Sequence, residues 1–152
     1  MWPLAETRPK HLLPIAGKPI LGHILNALAQ NGVFEITIIV GFQEEAIRQA
    51  LGAGKDYGVR LKYIQQPKWT GTASALKMEY KAVGKERFMA VYGDLLISSA
   101  SVRALIDKAA DSARVIGVVK VPDASQYGVI ELHDDRAVRI VEKPGRDRKS
   151  VV

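Results

Sequence analysis

The chain has 152 residues, enough for one domain with a buried core, and its 47% hydrophobic and 25% charged content is ordinary for a globular protein. It has no cysteine, which excludes disulfides and cysteine-ligated metals, and no apolar run approaches the ~20 residues that span a membrane. The net charge is +6, but the basic residues are scattered and form no recognisable nucleic-acid motif. We therefore expect a single cytoplasmic domain, with neither nucleic acid nor a membrane as its partner, whose charge suits a phosphorylated small substrate.

The chain opens with a proline-rich segment, residues 1–19, that contains Pro3, Pro9, Pro14 and Pro19. Each proline removes a backbone donor, fixes φ near about −65° and pushes the preceding residue towards extended geometry. We predict a stiff, extended loop that is neither a strand nor a long helix. Its cations are Arg8, Lys10 and Lys18. Such a loop beside a helix N-terminus can bind an anion, and a plain surface connector is the alternative.

After this loop, helical and extended patterns alternate along the chain. Apolar residues at helical spacing predict four helices, at Lys18–Asn31, Gln43–Leu51, Gly71–Val83 and Ser98–Ala110. Short apolar runs predict six strands, at Ile36–Val40, Leu61–Gln65, Phe88–Tyr92, Val115–Val119, Tyr127–Leu132 and Ala137–Glu142. The alternation predicts one α/β domain over residues 1–152, with a mostly parallel sheet flanked by helices and a hairpin turn at Asp134-Asp135. Ligands of such sheets bind beyond the carboxyl ends of the strands.

Polar residues follow the predicted strand that ends at Gln65. Gln66 offers a donor and an acceptor together, which suits the edge of a nucleobase. Gly71 and Thr72 open the next helix, and a glycine there lets a flat ring approach the backbone. An ordinary loop with a Gly-Thr helix start would give the same pattern.

A single carboxylate, Asp94, follows the predicted strand Phe88–Tyr92 after one glycine. Mg²⁺ is commonly held by one or two carboxylates, with waters and phosphate oxygens completing its shell. The spacing alone is more typical of a helix-capping or turn aspartate. The three histidines, His11, His23 and His133, have no metal-ligand spacing and read as structural.

Two more motifs lie near the last two predicted strands. Tyr127-Gly128 begins one strand, and Val141-Glu142-Lys143-Pro144 ends the other. Taken by itself, the second motif is a strand ending in a surface charge pair that is stopped by a proline.

Together these motifs resemble the sugar-1-phosphate nucleotidylyltransferases. The opening Met1-Trp2-Pro3-Leu4 with Pro9-Lys10 is similar to the second half of that family's signature, and the other four motifs follow in the family's order up to Pro144. The resemblance implies a Rossmann-like fold of the nucleotide-diphospho-sugar transferase type. It also implies transfer of a nucleotidyl group from a nucleoside triphosphate to a sugar 1-phosphate, giving a nucleotide-sugar and pyrophosphate.

The resemblance also implies roles for individual residues. Asp94 would bind catalytic Mg²⁺, and Lys10 would neutralise the phosphates. The nucleobase, a pyrimidine of UTP or dTTP, would be bound by Gln66, Gly71 and Thr72. The sugar side would be contacted by the Gly128 backbone, the Glu142 carboxylate and, near the phosphate, Lys143.

One part of the family's signature is not matched by the chain. In the family, a first strand and a glycine-rich turn that cradles the triphosphate precede the position of Met1. We therefore expect the first strand to be missing, the strands at Ile36 and Phe88 to flank a gap, and turnover to be impaired. A non-catalytic nucleotide-sugar-binding module or an inactive fragment is the alternative, and assembly into a homo-oligomer is left open.

Overall fold

The computed structural model describes residues 9–41, 44–66, 71–83, 86–112, 114–124, 127–134 and 136–142. The chain forms two compact units, Met1–Ala104 and Leu105–Val152. Within the described ranges, no helix is both long and apolar enough to cross a membrane.

The first unit begins with a short 3-10 turn, Lys10–Leu12, and a small antiparallel pair of strands, β1 (Pro14–Ile15) and β2 (Lys18–Pro19). The prediction of a strand-free loop was wrong at this pair. Two residues with positive φ, Ala16 at 48° and Gly17 at 79°, turn the chain tightly enough for the strands to pair. The prolines are tolerated because Pro14 and Pro19 face each other at the outer end of the ladder, where a missing donor matters least.

Helix α1 (Ile20–Ala29) starts directly after Pro19 and supplies most of this unit's core. Its buried apolar residues are Ile20, Leu21, Ile24, Leu25, Ala27 and Leu28. Asn31 secures the end of the helix, because its side-chain nitrogen donates to the carbonyls of Ala27 at 2.8 Å and Ser99 at 3.0 Å. The predicted helix is confirmed, although it is shorter than the Lys18–Asn31 pattern indicated.

Two parallel strands, β3 (Glu35–Val40) and β4 (Arg60–Gln65), pair in register from Glu35 opposite Arg60 to Val40 opposite Gln65. Helix α2 (Glu44–Leu51) lies between them in the chain and buries Ile47 and Leu51. This strand–helix–strand arrangement confirms the predicted α/β class. Among the described residues, parallel pairing is confined to these two strands.

Helices α3 (Thr72–Val83) and α4 (Ser99–Ala110) lie within one residue of their predicted bounds. Ser98 caps α4, since its hydroxyl accepts a hydrogen bond from the Ser101 amide at 3.0 Å. Val102 on α4 is fully buried, as the apolar spacing predicted.

The predicted strands Phe88–Tyr92 and Val115–Val119 are not formed. No described residue pairs with either run in a ladder, and large apolar side chains in both are exposed, among them Phe88, Tyr92, Ile116 and Val119. An apolar, β-branched composition favours a strand only when another backbone is available to complete its hydrogen bonds.

The second unit contains an antiparallel hairpin of β5 (Gly128–His133) and β6 (Arg136–Glu142). The first rung joins Gly128 to Glu142, and the register shifts between Glu131 and Leu132. Asp134 turns the chain with a φ of 48°, which confirms its predicted place in the turn, while Asp135 lies outside the described residues. Val129 and Ile130 are the buried residues of this hairpin.

Candidate functional site

Lys10 and Asp94, predicted separately from two distant motifs, are in contact. The Lys10 ammonium donates to Asp94 Oδ2 at 2.5 Å, across 84 positions of sequence. Lys10 is held by the 3-10 turn Lys10–Leu12, and Asp94 by the Gly93-Asp94 turn that follows residues 88–92. The side chains are 46% and 35% exposed, so this charge-assisted bond is open to solvent and to incoming ions.

The ion pair favours the ionised form of Asp94. The hydrogen bond from Lys10 is the largest cause that lowers the pKa of Asp94, and partial burial opposes it only in part. Asp94 is therefore a carboxylate at neutral pH, as a cation ligand must be. Among the described residues, no group of three or more His, Cys, Asp or Glu side chains is placed to hold a metal ion. Asp94 can thus serve as one ligand of a cation whose other ligands are phosphate oxygens and water.

His11 completes the surroundings of this pair, and sequence reasoning missed it. A methyl group built on Gly93 would lie 3.1 Å from His11 Cδ2 and 3.3 Å from Leu21 Cδ2, so the turn before Asp94 sits tightly against both side chains. Burial, and secondarily the charge of Lys10, lower the pKa of His11, which favours a neutral ring at pH 7. The one feature of the sequence that could have drawn attention to His11 is its position next to Lys10. Its spacing from other residues is not that of a metal ligand.

The three residues predicted to bind the nucleobase lie together at the carboxyl end of the parallel pair. The Gln66 amide donates to the Val40 carbonyl at 2.7 Å, which extends the β3–β4 ladder by one bond. The Gln66 side-chain nitrogen reaches the Gly71 carbonyl at 3.4 Å, and Thr72 begins α3 immediately afterwards. Gly71 has a φ of 94°, and no described residue lies within 4 Å of where its Cβ would be. Residues 67–70 are not among those described.

In the second unit, Gly128 and Glu142 face each other across the β5–β6 hairpin. They are paired in register, and a methyl group on Gly128 would lie 3.1 Å from Glu142 Oε2. The absence of a side chain at Gly128 therefore leaves room for the Glu142 carboxylate, which is exposed. Lys143, the third residue of this predicted group, lies outside the described residues.

Comparison with known proteins assigns a family. The sequence profile of the family described as "Nucleotidyl transferase" matches residues 1–152. The bifunctional protein GlmU of Methanococcus maripaludis (strain C5) is 34% identical over 146 residues, which cover 95% of this chain and 33% of GlmU. A glucose-1-phosphate thymidylyltransferase of Streptomyces antibioticus is also 34% identical over 146 residues, covering 93% of this chain and 41% of the relative.

The fold agrees with that assignment. A crystal structure from Bacillus anthracis, classed as a glucose-1-phosphate thymidylyltransferase, superposes with a TM-score of 0.87 at 28% identity, covering 99% of this chain and 62% of the other. HddC from Yersinia pseudotuberculosis shares the fold with a TM-score of 0.76 at 24% identity. The chain spans about a third of the length of the GlmU relative and under two thirds of the solved structure. Its sequence over all 152 residues and its fold together show that the chain belongs to the nucleotidyl transferase family, among the sugar-1-phosphate nucleotidyltransferases.

Proposed function

We propose that this chain carries the nucleotidyl-transfer site of a sugar-1-phosphate nucleotidyltransferase. The observation that carries the proposal is the contact between Lys10 and Asp94. A cation and a carboxylate from two separate motifs meet at a solvent-open position, and phosphoryl chemistry requires these two charges together.

In the proposed reaction, an oxygen of the sugar 1-phosphate attacks the α-phosphorus of a nucleoside triphosphate. The new P–O bond forms as the bond to the β-phosphate oxygen breaks, and the electron pair leaves with pyrophosphate. Because the attacking oxygen is already anionic, no general base is needed, and the protein contributes positioning and charge neutralisation.

Lys10 would neutralise phosphate oxygens as their charge redistributes, and Asp94 would hold Mg²⁺ as one protein ligand. The chemistry that Mg²⁺ supplies when bound is neutralisation of the phosphate oxygens it contacts. The fit of Asp94 to this role rests on its exposure and on its lowered pKa, which keeps an anionic oxygen available. Loss of one such charged contact typically lowers the rate by about 10²–10³.

The proposed base site is the cluster of Gln66, Gly71 and Thr72. It is supported by the approach of the Gln66 side chain to Gly71, where no described residue lies within 4 Å of the Cβ position. Since the Streptomyces antibioticus relative is named for thymidylyl transfer to glucose 1-phosphate, dTTP and glucose 1-phosphate are the first substrates to test, followed by UTP. The sugar would contact Gly128, Glu142 and Lys143.

The test is Mg²⁺-dependent pyrophosphate release by the purified chain with dTTP or UTP and glucose 1-phosphate. Asp94→Asn and Lys10→Met should each abolish most of the release. Arg60→Gln is the matched control, since Arg60 forms an exposed ion pair with Glu35 at the first rung of β3–β4. Nucleotide binding without pyrophosphate release would favour the binding-module alternative, and a rate unchanged in Asp94→Asn would refute the assigned role.

A further inference from the structure

We infer that His11 is a positioning residue that fixes Asp94 by packing against Gly93. The inference deepens the proposed function and rests on the roles given there to Lys10 and Asp94. Sequence patterns gave His11 no role, and nothing in its spacing relates it to the carboxylate.

The geometry around Gly93 supports this assignment. The Cδ2–Nε2 edge of the His11 ring faces Gly93, with these atoms 3.1 and 3.7 Å from the place where a Cβ would lie. Leu21, a buried residue of α1, closes the same space, with its Cδ2 at 3.3 Å. Ordinary contacts of a Cβ begin near 3.4 Å, so a side chain at position 93 would fit only if His11 or Leu21 moved by a few tenths of an ångström. The turn that presents Asp94 is therefore held between a ring and the core helix.

The environment of the His11 Nδ1 atom also supports a positioning role. Nδ1 lies across the ring from the edge that faces Gly93, and it is buried with no hydrogen-bond partner among the described residues. Most buried polar atoms have a hydrogen-bond partner. An apolar side chain would fill the space around Nδ1 without the free-energy cost of burying an unpaired nitrogen. The ring's orientation is thus set by the shape of the space between Gly93 and the interior.

His11 is also joined directly to the cation of the pair. Lys10 and His11 are consecutive in the 3-10 turn Lys10–Leu12, so the turn that holds the ring against Gly93 also sets the position of the Lys10 backbone. One three-residue turn thereby places both partners of the ion pair, Lys10 through the chain and Asp94 through contact with Gly93. Loss of the ring should separate the two charges without removing either of them.

The test measures the carboxyl pKa of Asp94 by NMR in the nucleotide-free chain of 152 residues. Lys10→Met supplies the value for Asp94 without its cation. In His11→Ala, we expect the Asp94 pKa to rise through more than half of the interval between the wild type and Lys10→Met. Ile47→Val, a mild core change in α2, is the control for lost stability and should leave this pKa unchanged.

A second pair of variants tests the contact itself. Gly93→Ala should also raise the Asp94 pKa, because the methyl group displaces the turn from the ring. The double variant His11→Ala with Gly93→Ala should return the pKa part of the way towards the wild-type value, since the methyl group then fills the emptied space. If His11→Ala does not fold, His11→Gln replaces it in the same comparison.

A wild-type Asp94 pKa in the folded His11 variant would overturn the inference, whatever the activity. Equal pKa values in the wild type and Lys10→Met would also overturn it, because the ion pair would not form in solution. The proposed function is judged separately, by the effect of Asp94→Asn on pyrophosphate release, so the two can fail independently.

Discussion

Replacement of Lys10 by methionine should separate the catalytic importance of the ion pair from its importance for stability. Methionine keeps an unbranched side chain that is one atom shorter, and it removes the ammonium group with its charge and its hydrogen bond to Asp94. The Lys10 and Asp94 side chains are 46% and 35% exposed, and solvent screens a pair of this kind. Exposed ion pairs contribute about 0.2–1 kcal/mol, so the loss in unfolding free energy should stay within that range.

The expected effect on turnover is much larger. If Lys10 neutralises phosphate charge that develops in the transition state, its loss should lower the rate by about 10²–10³, or roughly 2.7–4 kcal/mol. The assays are urea unfolding, and pyrophosphate release over a series of dTTP and Mg²⁺ concentrations. Arg60→Gln removes a more exposed ion pair, with side chains 78% and 57% exposed, and should lower stability no more than Lys10→Met does while keeping the rate. A rate loss below about tenfold, or one that merely follows the stability loss, would refute the role of Lys10.

Four further outcomes are expected. The stability of the fold should depend on the titration of Asp94, because folding lowers the pKa of this carboxyl group. Its contribution to the unfolding free energy is present above the unfolded pKa of about 3.9 and is lost as pH falls through the lower folded pKa. Urea midpoints measured between pH 2 and 7 should therefore fall less at acid pH in Lys10→Met than in the wild type. Gly71→Ala should destabilise the chain by about 1–3 kcal/mol, since φ at this position is 94°, and it should weaken dTTP binding in calorimetry; unchanged stability would contradict that φ value. Glu142→Gln should raise the KM for sugar 1-phosphate more than the KM for dTTP, and equal changes would remove Glu142 from the sugar site. In the nucleotide-free chain, Lys10→Met should bind Mn²⁺, a probe for Mg²⁺, more tightly than the wild type, because Lys10 no longer competes for Asp94; weaker binding would argue against Asp94 as the ligand.

The features predicted correctly from the sequence are those encoded locally. The apolar stripe of α1 and the β5–β6 hairpin depend on residues close in sequence, and both are formed. Strand β3 was recognisable because Ile36–Val40 is almost wholly apolar, and β4 formed where Leu61–Gln65 was predicted although that run includes Lys62 and Gln65. The strand predicted at Phe88–Tyr92 failed because a strand also needs a hydrogen-bonding partner, which composition does not specify.

The individual residues of the candidate site could be predicted from the sequence, but the contacts between their side chains could not. Family resemblance identified Lys10 and Asp94 separately, and only the fold shows that their side chains touch. His11 was missed for the same reason, since its contact with Gly93 joins two segments with no local pattern between them. The turn at Ala16 was missed because alanine seldom adopts a φ of 48°. A glycine or an asparagine at this position would have indicated a turn.

The ion pair between Lys10 and Asp94 is compatible with a role for both residues towards substrate. In the nucleotide-free chain each charge is balanced by the other, and the hydrogen bond from Lys10 lowers the pKa of Asp94. A nucleoside triphosphate brings its own negative charge and a divalent cation, so in the proposed site Lys10 would turn to phosphate while Asp94 turns to the cation. The exchange is feasible because the pair is solvent-exposed, where the bond is worth about 1 kcal/mol or less. A buried pair would resist such an exchange, and the exposure of Lys10 and Asp94 is therefore the property that the proposed function requires of this pair.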